Sequence, residues 1–356
     1  MRPTHLHQHR SPFACIVPPD LLRDIIRNGT EEERWAAADT MAIDTTFRTL
    51  RAAFAATVAA TKVAMLPMGG QGGQPQRTIY DQKNSNAIAL GTVARTEGQP
   101  AVRDAAVNEA YDGFGATYTF FWEVLARNSI DNAGMPILGL VHYSTNYANA
   151  FWDGQGHMFF GDGDGRLFVR LTKSIDVIGH ELAHGVTQYE ANLVYQGQSG
   201  ALNESMSDVF GSLVKQYAKN QTANKADWLI GKDVVGPTLK PALRSMKAPG
   251  TANPYDKQPA DMDEFVYTAA DNGGVHINSG IPNHAFYVAA TTMGGKAWEK
   301  AGRIWYDSLR DARIKPTSGF KAFARATVRQ AQMRFGDTSA EVDAVRAGWD
   351  KVKVKM

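Results

Sequence analysis

The chain has 356 residues, 44% of them hydrophobic and 21% charged, which is long enough for two domains with a sizeable core and ordinary for a soluble globular protein. A formal charge of +2, with no block of like charge, gives no case for nucleic acid or a membrane surface as partner. The single cysteine, Cys15, excludes an internal disulfide framework.

The first residues, MRPTHLHQHRSPF, carry Pro and His where a secretory leader would be apolar, and FACIV is too short to serve, so no Sec signal is visible and leaderless export or cytoplasmic retention is open. His5, His7 and His9 could bind a metal, although a disordered tail is the preferred reading. Asn28-Gly29 breaks the chain, and Thr30-Glu31-Glu32-Glu33 has the form of a capping box opening a helix toward Ala60. The Ala-rich run from Leu50 to Pro67 carries Arg51 and Lys62 and reads as helix, not as a membrane span. MGGQGGQPQ, Met68 to Gln76, is a linker by composition. Residues 103–125 have apolar positions at helical spacing, and ILGLVHYS alternates like a strand. Gly161-Asp162-Gly163-Asp164-Gly165 lacks the Lys of a phosphate loop and the spacing of an EF-hand, and predicts a hairpin turn. Helical patterns follow over 201–219, 281–293, 296–311 and 318–334, so the aromatic residues there read as core.

One stretch between these carries chemistry. His180-Glu181-Leu182-Ala183-His184 lies in a helical pattern over about 174–192, and residues four apart share one helix face, so both imidazoles can reach one ion. Zinc accepts such nitrogens and, in catalytic sites, keeps a position for water, which Glu181 is placed to deprotonate as general base. A third ligand must come from elsewhere, and Glu204 on the next helical stretch offers one. Asp208, one turn later, can orient a ligating histidine through its second nitrogen. Two solvated histidines would be the bland reading of the pentapeptide alone; Glu204 and Asp208 weigh against it.

Residues 149–211 resemble the thermolysin family of zinc endopeptidases, with further matches at LRSM around Arg244 and DNGGVHINSG around His276. The likeness covers roughly 78 to 350, and CIVPPDLLRDI is similar to the pro-segment motif of the protealysin-like branch, loosely matched here as Pro18-Pro19-Asp20-Leu21. The resemblance implies an α+β, two-lobed fold, sheet-rich in the first lobe and mainly helical in the second, with the zinc helix between. The expected division is a helical pro-segment at 1–65, a first lobe at 66–192 and a second at 193–356. It implies one zinc ion on His180, His184 and Glu204. Tyr195 and His276 would be oxyanion donors, Asp271 would orient His276, and the Asn149 side chain and Ala150 carbonyl would hold the substrate backbone. Arg244 would bind the carbonyl on the leaving-group side. An apolar pocket of Phe168, Leu171, Val177, Ile230, Val234 and Leu243 implies cleavage before Leu, Phe, Ile or Val. Partners would be peptide or protein substrates, with the pro-segment as inhibitor, and relatives are usually secreted. Cys15 could then cap the zinc as thiolate or pack as a small apolar residue beside Phe13 and Ile16; the second reading is preferred. His142, His157 and His284 are read as structural.

Two departures and two rivals complete the reading. Positions matching the family's paired calcium site hold Asp176, Lys215, Asp227, Leu229 and Lys232, and calcium needs several oxygen ligands, so that site is expected to be lost. The loop before Arg244 lacks an acidic residue for a distal calcium site. A zinc aminopeptidase would bring a Gly-x-Met-Glu-Asn motif, which is absent. A degenerate, purely binding relative would lose Glu181 or the oxyanion donors, which are present.

Overall fold

A computed structural model describes residues 14–58 and 72–356. His5, His7 and His9, the Ala-rich run beyond Val58 and the start of the linker lie outside the described residues. In chain order the elements are β1 (Ala14–Cys15), α1 (Pro19–Asn28), α2 (Glu31–Val58), β2 (Arg77–Asp81), β3 (Thr92–Thr96), α3 (Ala105–Leu125), β4 (Ile137–Val141), β5 (Ala150–Trp152) and β6 (His157–Phe160). They continue as α4 (Ile175–Glu190), α5 (Gly197–Ala218), β7 (Leu229–Ile230), β8 (Arg244–Ser245), α6 (Asp271–Asn278), α7 (Gly280–Met293), α8 (Ala301–Leu309), α9 (Phe320–Phe335) and α10 (Ala340–Lys351). This is the two-lobed α+β arrangement the sequence implied, with all six strands of the main sheet before the HELAH helix and a mainly helical lobe after it.

Local chemistry sets the helix starts. Thr30 and Glu33 form the expected capping box: the Thr30 amide donates to Glu33 Oε2 at 2.8 Å and the Glu33 amide to Thr30 Oγ1 at 3.3 Å. Asp104 caps α3 by accepting from the amides of Ala106 and Val107. The expected break at Asn28-Gly29 ends α1, and Pro19 occupies its first turn, where the missing N–H costs nothing.

The main sheet runs β1-β5-β6-β4-β2-β3. Its outermost strand at one edge, β1, is the first described strand of the chain and pairs antiparallel with β5, Ala14 opposite Trp152 and Cys15 opposite Phe151. The Gly161–Gly165 turn is not a hairpin, since no strand follows β6 to return along it. Asp164 instead accepts from the amides of Leu167 and Phe168, folding the loop back on itself.

Behind the sheet, α4 and α5 cross at two glycines. A Cβ on Gly179 would lie 3.1 Å from Gly211 Cα, and one on Gly211 would lie 2.4 Å from the Asp176 carbonyl oxygen. Only glycine allows this approach, and it sets the polar faces of two buried helices against each other.

Candidate active site

That crossing faces His180 and His184 of α4 with Glu204 and Asp208 of α5, all buried. His180 Nε2 and His184 Nε2 are 3.0 Å apart, and Glu204 carboxylate oxygens lie 3.5 Å from the first and 3.6 Å from the second. The three side chains gather their ligand atoms within 4.8 Å of one another. The opposite ring nitrogens are held: His180 Nδ1 is 2.8 Å from Asp208 Oδ1, and His184 Nδ1 is 2.8 Å from Asn203 Oδ1 and 3.0 Å from Ser207 Oγ. Burial pushes His184 down to about 4, keeping it neutral, the form a metal requires. Glu204 Oε2 is enclosed with no hydrogen-bond partner. Two inward nitrogens and an orphaned carboxylate oxygen fit a tetrahedral zinc site.

Glu181, on the same helix, accepts from the Trp152 amide through Oε2 at 3.1 Å, while its Oε1 has no partner. Burial, reinforced by the neighbouring Glu204, pushes its carboxyl well above the usual range, so it holds a proton readily. Tyr195 donates to Glu204 and lies 3.1 Å from His276 Nε2. His276 is fixed by Asp271, whose Oδ1 is 2.6 Å from Nδ1 and whose Oδ2 accepts the His276 amide at 2.8 Å. This clamp needs a tight turn, made by left-handed backbone from Asp271 through Gly274, with φ of 82° at Gly273 and 74° at Gly274. Burial alone would lower the His276 pKa; Asp271, and then Glu204, holds it well above the ordinary value.

Arg244 forms a fork on Asp208, both contacts at 2.8 Å, and Asn283 donates to the same carboxylate at 2.8 Å. Asp208 therefore orients His180 and Arg244 together; burial opposes its ionisation, but Arg244 and His180 outweigh it and lower its pKa. Asn203, Ser207 and Asn283 were not foreseen from the sequence. Asn203 and Ser207 lie four apart on α5, the same spacing that marks the two ligand histidines.

Residues 15–17 lie across this site. The Ile16 amide donates to the Ala150 carbonyl at 3.2 Å and the Val17 amide to Asn149 Oδ1 at 2.9 Å. The Ile16 carbonyl accepts from Arg244 at 2.9 Å, and the Cys15 carbonyl is 2.9 Å from His276 Nε2. The Cys15 side chain does not cap the metal ligands. It is buried among Leu140, Tyr143, Tyr147, Phe151 and Phe159, apolar packing as preferred but with other neighbours than the expected Ile16 and Phe13, the latter outside the described residues. Phe168, Leu171, Val177, Ile230, Val234 and Leu243 are all buried, and backbone hydrogen bonds join Val169 to Val234 and Leu243 to Ile230.

Lys215 lies 2.8 Å from Asp176 and 3.0 Å from Asp227, and also donates to the Leu229 carbonyl. His142 bridges Asp104 and Asp162, His157 pairs with Asp153, and His284 contacts the Ala260 carbonyl, all away from the metal ligands.

Comparison with known proteins agrees with this geometry. Residues 36–188 match the thermolysin metallopeptidase catalytic domain and residues 191–354 the thermolysin metallopeptidase alpha-helical domain. An extracellular metalloprotease of Pectobacterium carotovorum subsp. carotovorum is 47% identical, the alignment covering 97% of each chain. Protease PrtS of Photorhabdus sp. (strain Az29) is 48% identical over 79% of this chain and 76% of its own. The solved precursor of protealysin, a metalloproteinase from Serratia proteamaculans, superposes with a TM-score of 0.84 at 48% identity, covering 96% of this chain and all of that one. The chain belongs to the thermolysin family of metallopeptidases, as a zinc endopeptidase in precursor form.

Proposed function

We propose that His180, His184 and Glu204 hold the zinc ion and that Glu181 is the general base. The observation that carries this is the convergence of His180, His184 and Glu204, with Glu181 buried on the histidines' own helix and its Oε1 without a partner. Zinc bound there supplies a Lewis acid and lowers the pKa of water toward about 7. Glu181 then takes a proton from water and later delivers it to the departing amine, a task suited to a carboxylate whose pKa burial has raised. Tyr195 and His276 donate to the developing oxyanion, with Asp271 keeping His276 charged. Asn149 and Ala150 hold an extended peptide by its backbone, Arg244 binds the carbonyl beyond the cut, and Asp208 positions both Arg244 and His180. Phe168, Leu171, Val177, Ile230, Val234 and Leu243 favour Leu, Phe, Ile or Val on the leaving-group side.

The pro-segment, residues 1–65, acts as the enzyme's own inhibitor by filling the places a substrate would take on Asn149, Ala150, Arg244 and His276. Residues 66–192 and 193–356 form the two catalytic lobes. The Lys215 ammonium replaces calcium at the paired site. The described residues hold no helix long and apolar enough to cross a membrane, and with an extracellular relative at 47% identity we place the mature enzyme outside the cell.

The test is hydrolysis of casein and of a blocked, internally quenched peptide by wild type and Glu181→Ala, before and after removal of the pro-segment, with zinc content measured in both. Activity that appears on removal and is absent from the zinc-loaded mutant is expected. Equal activity in both proteins rejects the assignment of Glu181.

A further inference from the structure

The pro-segment meets the cleft through backbone groups, and their order determines which peptide bond faces the metal ligands. His276 Nε2 lies 2.9 Å from the Cys15 carbonyl oxygen and 3.5 Å from Glu204 Oε1. The Cys15 carbonyl is therefore the group beside the ligand cluster. The next carbonyl, that of Ile16, has already turned to Arg244 and hence to the Asp208 side. A carbonyl carbon is bonded to the nitrogen of the following residue, so the peptide bond presented is Cys15–Ile16. Ile16, fully buried, stands on its leaving-group side.

We propose that residues 15–17 are bound as a substrate, and that the zinc-loaded chain hydrolyses its own Cys15–Ile16 bond. This rests on the endopeptidase reading above. One water is consumed: its oxygen joins the Cys15 carbonyl carbon, the bond from that carbon to the Ile16 nitrogen breaks, and both water protons pass to that nitrogen. Cys15 ends as a carboxylate and Ile16 as an ammonium. The cut alone does not open the cleft, because the chain from Ile16 onward keeps its anchors. Arg244 and Asn149 still hold Ile16 and Val17. On α2, Thr40 Oγ1 accepts the Ala148 amide at 3.2 Å, and Asp44 accepts from the Tyr147 hydroxyl at 2.6 Å and from Asn149 Nδ2 at 3.2 Å. Nicking is thus a separate event from activation, which requires loss of the remaining pro-segment.

The full chain, loaded with zinc over a wide range of protein concentrations, is followed by intact mass and amino-terminal sequencing. A new amino terminus at Ile16 is expected, at a rate independent of concentration and absent from Glu181→Ala. Ile16→Leu should preserve it, and Ile16→Asp, which puts a charge into an apolar site, should slow it by at least about tenfold. A rate that rises with concentration assigns the cut to a second molecule and overturns the proposal. So does an intact Cys15–Ile16 bond in a preparation that hydrolyses casein once its pro-segment is digested away, an outcome that leaves the endopeptidase reading standing. Silence after digestion overturns both. Amide exchange in the metal-free chain gives a reading independent of turnover: protection of the Ile16 and Val17 amides should persist in Ile16→Leu and fall in Ile16→Asp. Equal protection in the two variants overturns the register.

Discussion

Asp20 stands on the first turn of α1, in the Pro18-Pro19-Asp20-Leu21 motif, and its Oδ1 is enclosed without a partner. Burial, then the Asp271 carboxylate, raises its pKa to about 6, with Asp24 adding and His276 opposing. Arg244, Tyr255, Asp256 and Lys257 line the same cavity. A carboxyl whose pKa rises on docking disfavours the docked state once it ionises. Its cost is absent below pH 3.8, grows as pH rises toward 6, and is complete above that. The pro-segment should therefore dock more tightly in acid, with weakening from this group between those limits. Asp20→Asn should remove that slope and tighten docking at neutral pH by about tenfold or more. Amide exchange of α1 across pH 4 to 8 measures it; an unchanged slope in the mutant would show that Asp20 is not the titrating group.

At the scale of elements, the α4–α5 pair carries both the site and a buried charge cluster one end away from it. Lys215 on α5 is held by Asp176 on α4 and by Asp227, and although burial works against its charge, the two carboxylates raise its pKa. Lys215→Met would leave Asp176 buried and unpaired, which should cost about 3–5 kcal/mol in denaturant unfolding. A loss below about 1 kcal/mol would mean that the ammonium does not serve as the counter-charge. Because that cation is covalent, calcium-selective chelation should leave the melting temperature of wild type unchanged. The clustering of His180, His184 and Glu204 was legible in the sequence because a helix converts a spacing of four residues into a shared face, as at His180 and His184, and at Glu204 and Asp208. Asn203, Ser207 and Asn283 carried no such mark, being small polar residues whose roles arise only where two or three helices meet. The Gly161–Gly165 loop was misread as a hairpin because local turn chemistry does not state whether a strand returns.

Over the whole molecule, one side chain ties the lobes together. Arg127 follows α3 and is fully buried. Its guanidinium donates to Glu190 at the end of α4, to the Ile130 carbonyl, and to the Tyr306 hydroxyl of α8 at 3.1 Å. The sheet lobe, the HELAH helix and the helical lobe thus share one cation, and the proposed roles of Glu181, Tyr195 and His276 require a fixed relation between the lobes that carry them. Removing a buried cation leaves its acceptors unsatisfied, at a cost of about 3–5 kcal/mol. Arg127→Met keeps much of the side-chain volume, so its effect isolates the polar connection from packing. The expected result is a melting temperature lower by several degrees together with a reduced kcat in the mature enzyme, since both follow from looser registry between lobes. Loss of stability with kcat unchanged would restrict Arg127 to holding the fold and separate the lobe junction from catalysis.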